Sequence, residues 1–261
     1  MRKSILLLGV LLAGAVAQPR VCRAEQFDVS TVFSDSKAYF TAPLHWDTRD
    51  WLYAGGALLA VGAAHSFDDN VRTHFAIGDR SVLDGRDKHS TRDALPAAAL
   101  VAGTFAYAMW IDDEAGRVES YTMLEAAGFS AVTTTVLKYA AGRERPNETA
   151  DMNSWRNRGS SFPSLHASAA FAIGTVFAES GGEEYRWIRR IVGYGIAGAT
   201  AYTRVHDNVH WLSDTVAGAA IGIATAHFVM NRREAHRNAG TVSVAPMQGG
   251  GVMLSYSLPL Q

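Results

Sequence analysis

"RVHDNVHWLSDTVAGAAIG", residues 204–222, opens with charged and imidazole side chains and runs into a segment of small apolar residues. His206, His210 and Asp214 recur every four residues. That spacing fits a metal-ligand set, and it also fits a histidine nucleophile steadied by a carboxylate one turn along. The closing "GAAIG" at 218–222 has the small-residue pattern that lets two helices approach closely. Similar Ala/Gly-rich apolar stretches occur at 51–65, 94–111, 122–141, 164–178 and 188–203, and the last runs over 211–230. Each is long enough for a helix and too long for an ordinary strand, so the chain is expected to be all-α, a six-helix bundle.

At 261 residues, 48% hydrophobic and 19% charged, the chain suits one large domain with a sizeable core. Arg2 and Lys3 precede "SILLLGVLLAGAVA" and then small residues, the order of a signal peptide cleaved after Ala17 or Ala24. Cleavage after Ala24 removes Arg2, Lys3, Arg20 and Arg23, leaving 20 basic against 25 acidic residues, a formal charge of −5. A mildly acidic chain argues against a nucleic-acid partner. Cys22 is the single cysteine and lies in the signal region, which excludes disulfides and cysteine-ligated zinc from the remainder. The expected organisation is a signal peptide over 1–24, an N-terminal surface strap over 25–50, a helical domain over 51–235 and a tail over 236–261. In that tail "TVSVAPM" and "VMLSYSLPL" alternate apolar and polar residues around "QGGG", the pattern of a short β-hairpin. Mean hydropathy is −0.01 and Glu125 interrupts one apolar stretch, so a soluble or peripheral bundle of the periplasm or cell envelope is expected over an integral one.

Three clusters of ionisable residues stand out. In "KYAAGRERP", Lys138 and Arg145 are seven residues apart, two helical turns, which predicts one shared helix face with Pro146 ending the helix. In "SFPSLHAS", Pro163 and Ser164 precede a helical run whose first turn holds His166. The third cluster is Arg204, His210 and Asp214. In order they read K-x6-RP, P-S-x-H and R-x5-H-x3-D. This resembles the three-part signature of the type 2 phosphatidic acid phosphatase superfamily, which also contains bacterial acid phosphatases and vanadium haloperoxidases. The resemblance covers 138–214 by motif and 50–230 by helix layout, and it implies the acid phosphatase/haloperoxidase type of bundle and a phosphatase activity. Two positions depart from it: Leu165 stands where the family has glycine, and Thr203 where it has serine. Thr203 keeps a hydroxyl, whereas Leu165 adds a side chain that must point away from a phosphate.

The residue chemistry agrees with that resemblance. A phosphoryl group in transfer spreads charge over three oxygens, so its catalysis needs positioned cations and donors. Lys138, Arg145 and Arg204 supply the cations, while Ser164 and the N–H groups opening the His166 helix supply neutral donors. His210, oriented by Asp214, is the candidate nucleophile, and His166 the acid that protonates the leaving alkoxide and later deprotonates water. The result is a phosphohistidine intermediate with no metal or other cofactor and with vanadate as a phosphate-mimicking inhibitor; the family implies the same roles. A metal held by His206, His210 and Asp214 would leave three cations without a purpose and compete with them for the phosphate.

The 16-residue connector between Pro146 and Pro163 is long enough to border the site, with Trp155, Arg156 and Arg158 as candidate contacts to the rest of the substrate; a plain surface excursion fits equally. His45, His65, His74, His89, His227 and His236 have no motif context and are expected as surface or satisfied core residues. The leading reading is a phosphoric monoester hydrolase acting on a phosphorylated lipid at a membrane surface. Competing readings are an acid phosphatase for small phosphomonoesters, a vanadium haloperoxidase, and a non-catalytic phospholipid-binding protein in which Leu165 has spoiled turnover.

Overall fold

The computed structural model describes residues 29–76, 90–238, 241–246 and 252–257; the expected signal peptide lies outside them. The chain folds as α1 (Val29–Thr41), a 3-10 turn (Ala42–His45), α2 (Thr48–Ser66), α3 (Asp68–Phe75), α4 (Ser90–Trp110), α5 (Glu114–Ala141) and α6 (Leu165–Glu179). A second 3-10 turn (Glu183–Tyr185), α7 (Arg186–His206) and α8 (Leu212–Asn238) follow. A two-stranded antiparallel hairpin, β1 (Thr241–Pro246) with β2 (Val252–Ser257), pairs Thr241 with Ser257 and Pro246 with Val252. The fold is all-α with a short terminal hairpin, and the six apolar stretches are α2 and α4 to α8.

Two elements depart from the expected layout. α5 begins eight residues before its apolar stretch, because Asp113 caps it by accepting the Ala115 N–H at 3.1 Å and the polar turns that follow are helical as well. The lead-in without a clear period contains α1. Its Tyr39 ring stacks on Phe129 at 5.1 Å, and its hydroxyl shares hydrogen bonds with Thr133 and Thr225 at 2.9 and 2.8 Å. Tyr39 thereby fixes α1 to α5 and α8.

α6 is the central helix, packed against α5, α7 and α8 and burying Ala167, Ala170, Ala172, Val176 and Ala178. The "GAAIG" glycines explain how α8 comes so near it. A Cβ at Gly218 would sit 2.5 Å from the Ser164 carbonyl oxygen, and one at Gly222 would strike the Ser168 carbonyl. Only glycine permits this approach, which sets the starts of α6 and α8 side by side. Charges within the helices are paired across them: Glu125 of α5 with Arg233 of α8 at 2.7 Å, and Glu179 of α6 with Arg190 of α7 at 2.7 Å. Glu125 therefore needs no water to satisfy it.

The outward faces are strongly apolar. Leu52, Leu58 and Leu59 of α2, Leu124 and Val136 of α5, and Ile191 of α7 are all exposed. Exposed aromatics collect at helix ends, with Trp51 and Tyr53 at the start of α2, Trp110 at the end of α4, Tyr139 near the end of α5 and Trp187 at the start of α7. α8, from Leu212 to Arg237, is long and apolar enough to cross a membrane by length and composition.

Candidate active site

The site is assembled from the ends of α5 and α7 and the starts of α6 and α8. Gly142, at φ 56° and ψ 30°, closes α5 in the left-handed region, and its N–H donates to the Lys138 carbonyl at 2.9 Å. α5 thus stops at Ala141, well before Pro146, and the expectation that Lys138 and Arg145 share a helix face is corrected. Lys138 lies in the last turn and Arg145 in the loop beyond it. The loop folds back on the helix end: the N–H groups of Arg156 and Asn157 donate to the carbonyls of Ala141 and Gly142, and that of Ser161 to Arg143, at 2.9–3.0 Å. Lys138 Nζ closes it by donating to the carbonyls of Ser160 and Ser161 at 2.6 and 3.2 Å. The connector therefore borders the site.

Ser164 is the N-cap of α6, its hydroxyl oxygen accepting from the Ala167 N–H and its own N–H donating to the Asp214 carbonyl at 2.9 Å. Leu165 and His166 fall in the first turn, where the sequence put His166. Arg204, in the last turn of α7, is fully buried and donates from Nη1 to Asp93 at 2.9 Å. Asn208, at φ 57°, turns the chain so that the N–H groups of Val209 and His210 reach the Arg204 carbonyl at 3.2 and 3.1 Å. His210 follows directly and is 3% exposed.

His210 Nδ1 lies 3.3 Å from Asp214 Oδ2. The same oxygen accepts from the Ser161 hydroxyl and from the Trp211 N–H, while Oδ1 accepts from Arg143 Nη1 at 2.7 Å. A carboxylate so fixed accepts from Nδ1–H, which leaves the Nε2 lone pair as the free nitrogen of the ring. Burial above all, then the Lys138, Arg145 and Arg204 cations and His166, hold the His210 imidazole well below its usual value of 6.5. Four groups from α5, the loop, α7 and α6 thus act on one ring.

Arg143 had no assigned role in the sequence reading. Fully buried, it spans Asp214 and Asp68, the latter at 2.8 Å, and also donates to Ser213 Oγ and the Met152 carbonyl. Asp68 in turn accepts from the Ser213 N–H and hydroxyl at 2.8 and 2.6 Å. His65, expected as a bland surface or core residue, has Nδ1 3.0 Å from Asp68 and Nε2 3.0 Å from Asn153 Oδ1. Spacing offers no signal for these residues. Asp68 opens a polar stretch of alternating charges with no motif in it, and nothing in "GRERP" says which arginine turns inward.

The remaining candidates lie on the connector, α6 and α7. Trp155 covers the Arg143 guanidinium at 4.5 Å and meets Phe162 edge-on at 5.3 Å; Arg156 and Arg158 are exposed with positive φ. Thr203 Oγ donates within its own helix to the Thr200 carbonyl at 2.8 Å. Leu165 lines an apolar groove between α4, α5 and α6. His206 engages Asp207 at 3.3 Å and stacks on Tyr202 at 5.2 Å, and no three His, Cys, Asp or Glu side chains gather as a metal-ligand set among the described residues.

Residues 120–237 match the PAP2 superfamily. Over 86 residues the chain is 40% identical to the lipid A 1-phosphatase of Porphyromonas gingivalis, a match spanning 33% of this chain and 17% of that protein's length. It is also similar to a solved transmembrane PAP2 type phosphatidylglycerolphosphate phosphatase from Bacillus subtilis, at 20% identity and a TM-score of 0.47, over 70% of this chain and 94% of that one.

The expectation of a soluble or peripheral bundle is corrected. This chain turns exposed leucines, valines and isoleucines outward between helix-end aromatics, and its last helix is long and apolar enough to cross a membrane, the surface expected of a membrane protein. Mean hydropathy misled because the many polar residues lie in the site, in the loops and in cross-helix ion pairs, while the apolar ones are on the outside as well as in the core.

Proposed function

We propose that this chain, whose residues 120–237 match the PAP2 superfamily, is a membrane phosphatase hydrolysing a lipid phosphate monoester or diphosphate through a phosphohistidine on His210. The observation that carries this reading is the buried His210–Asp214 pair with Lys138, Arg145, Arg204 and His166 all acting on the imidazole. Such a ring is held neutral beside three cations, so a nitrogen lone pair and a binding site for two or more negative charges coexist.

In the first step Nε2 of His210 forms a bond to phosphorus as the bond from phosphorus to the leaving oxygen breaks, that of the alcohol in a monoester or of the inner phosphate in a diphosphate. His166 gives that oxygen its proton, and Asp214 steadies the charge on the His210 ring through Nδ1–H. In the second, His166 takes a proton from water, the water oxygen bonds phosphorus, and the P–N bond breaks to return neutral His210 and inorganic phosphate. Lys138, Arg145, Arg204, the Ser164 hydroxyl and the N–H groups opening α6 hold the phosphoryl oxygens in both steps. No step requires a metal.

The test is phosphate release by the full-length protein in detergent micelles from phosphatidate, isoprenyl diphosphate, a lipid A phosphate and p-nitrophenyl phosphate, with a chelator present. Hydrolysis that persists in chelator, is inhibited by vanadate and disappears in His210→Ala is expected. Silence on all four substrates, or activity lost to chelator and restored by zinc, would overturn the reading.

A further inference from the structure

The phosphate site accounts for one end of a substrate. Beside it α4, α5 and α6 bound a groove of about 600 Å³. Its lining along α4 runs from Asp93 through Ala98 and Val101 to Phe105, twelve positions, or about 18 Å at the helical rise. Leu165 and His166 stand on the α6 wall. Three polar groups of the lining are already engaged: Asp93 accepts from Arg204, the Ser120 hydroxyl donates to the Gly116 carbonyl at 2.9 Å, and Thr200 donates to the Asp93 carbonyl at 3.5 Å. A sugar or glycerol headgroup would find few hydrogen-bond partners there and would lose its water, whereas a hydrocarbon has nothing to lose. Ala98 and Ala102 line it and are exposed, with Leu95 and Leu124 exposed beside them, so the groove is open on an apolar outer face of the bundle.

We propose that this groove takes the single hydrocarbon chain of a lipid phosphate entering sideways from the bilayer, and that Leu165 selects for an apolar group directly behind the scissile oxygen. The proposal rests on the phosphatase reading above. His166, the proposed proton donor to that oxygen, is also part of the groove wall, so the first carbons of the leaving alcohol lie beside residue 165. Glycine there would leave room for a glycerol or sugar carrying its own water. Leucine fills that room and gives a prenyl or alkyl carbon a dispersion partner. The substitution that looked like damage to a phosphate site belongs to the neighbouring chain site.

The test uses the full-length protein in mixed micelles with farnesyl phosphate, phosphatidate and p-nitrophenyl phosphate. Wild type is expected to prefer farnesyl phosphate to phosphatidate in kcat/KM, and Leu165→Gly to reduce that preference by about tenfold. Ala98→Trp, on the open side of the groove, and Ala169→Phe, one turn beyond Leu165, are each expected to raise KM for farnesyl phosphate about tenfold relative to p-nitrophenyl phosphate. An unchanged preference in Leu165→Gly, or unchanged relative KM in both filling variants, overturns the proposal. If no substrate is hydrolysed, the phosphatase reading fails by itself. Chain occupancy is then read by equilibrium binding of a fluorescent alkyl phosphate, which Ala98→Trp must weaken for the groove assignment to stand.

Discussion

Arg143 and Asp214 meet at 2.7 Å with both side chains inaccessible to solvent, and the other terminal nitrogen of the same guanidinium lies 2.8 Å from Asp68. One cation therefore ties the loop after α5 to α3 and to the first turn of α8, and it fixes the carboxylate that orients His210. Removing one partner from a buried ion pair strands the other, at a cost of about 3–5 kcal/mol. Arg143→Ala is expected to lower the thermal unfolding midpoint sharply and to lose turnover. Arg143→Lys keeps the charge but offers a compact ammonium in place of a fork, so it is expected to fall between Ala and wild type in both measurements. An alanine variant that unfolds and turns over like wild type would show that the bridge has no such role.

Much of the fold was legible in the sequence because six Ala/Gly-rich stretches at helical length leave few other arrangements. His166 could be set in a first turn because Pro163 and Ser164 are start signals with a local mechanism. Arg145 could not be placed the same way. Pro146 marks a latest end for α5, but Gly142 ends it first, and the helix-face argument across 138–145 failed on that residue. Asp68, Arg143 and His65 were illegible for a different reason: their meaning comes from partners 70 or more positions away, which no local pattern records. Membrane character escaped because a bundle that is apolar both inside and outside differs from a soluble one only in which side chains face out.

Thr203 is a departure from the family pattern whose hydroxyl is engaged within its own helix. Its hydroxyl donates to the Thr200 carbonyl within α7, so the group is already spent locally. Thr203→Ala is expected to change kcat/KM by no more than about twofold, in line with a substitution that removes no group from the site. A loss of a hundredfold would place the hydroxyl on the phosphate.

The pH dependence follows from His210. Burial and the neighbouring cations keep the folded imidazole neutral to pH values well below 6.5, whereas an unfolded chain takes up the proton near 6.5. As pH falls through that window the unfolded state binds the extra proton, so the contribution of His210 to stability is full above about 6.5 and declines below it. As the proposed nucleophile, His210 behaves in the opposite practical sense. It stays unprotonated in that same range, so the acid limb of kcat/KM should lie below the ordinary histidine value. Lys138→Met removes one of the groups that lower it, and the limb should move upward. A limb that stays in place in this variant would separate Lys138 from the ring electrostatically.

On the proposed mechanism the two histidines are distinguished by their dependence on the leaving group. His210 sits on Asp214 with Nε2 available, whereas His166 lies in the first turn of α6 and lines the groove that the leaving alcohol is proposed to occupy. Without His210 there is no attacking atom, so His210→Ala is expected to abolish turnover of every substrate alike. Proton transfer by His166 is worth about 10²- to 10⁴-fold and matters most for an alkoxide, because p-nitrophenolate departs without a proton. His166→Ala should therefore impair hydrolysis of a lipid phosphate far more than formation of p-nitrophenol. Loss of the same residue also slows attack of water on the phosphohistidine, so acid-labile, base-stable phosphoprotein should accumulate when that variant is quenched during p-nitrophenyl phosphate turnover. If His210→Ala retains p-nitrophenyl phosphatase activity while His166→Ala loses it, the roles are exchanged, and the Asp214 contact orients an acid in place of a nucleophile.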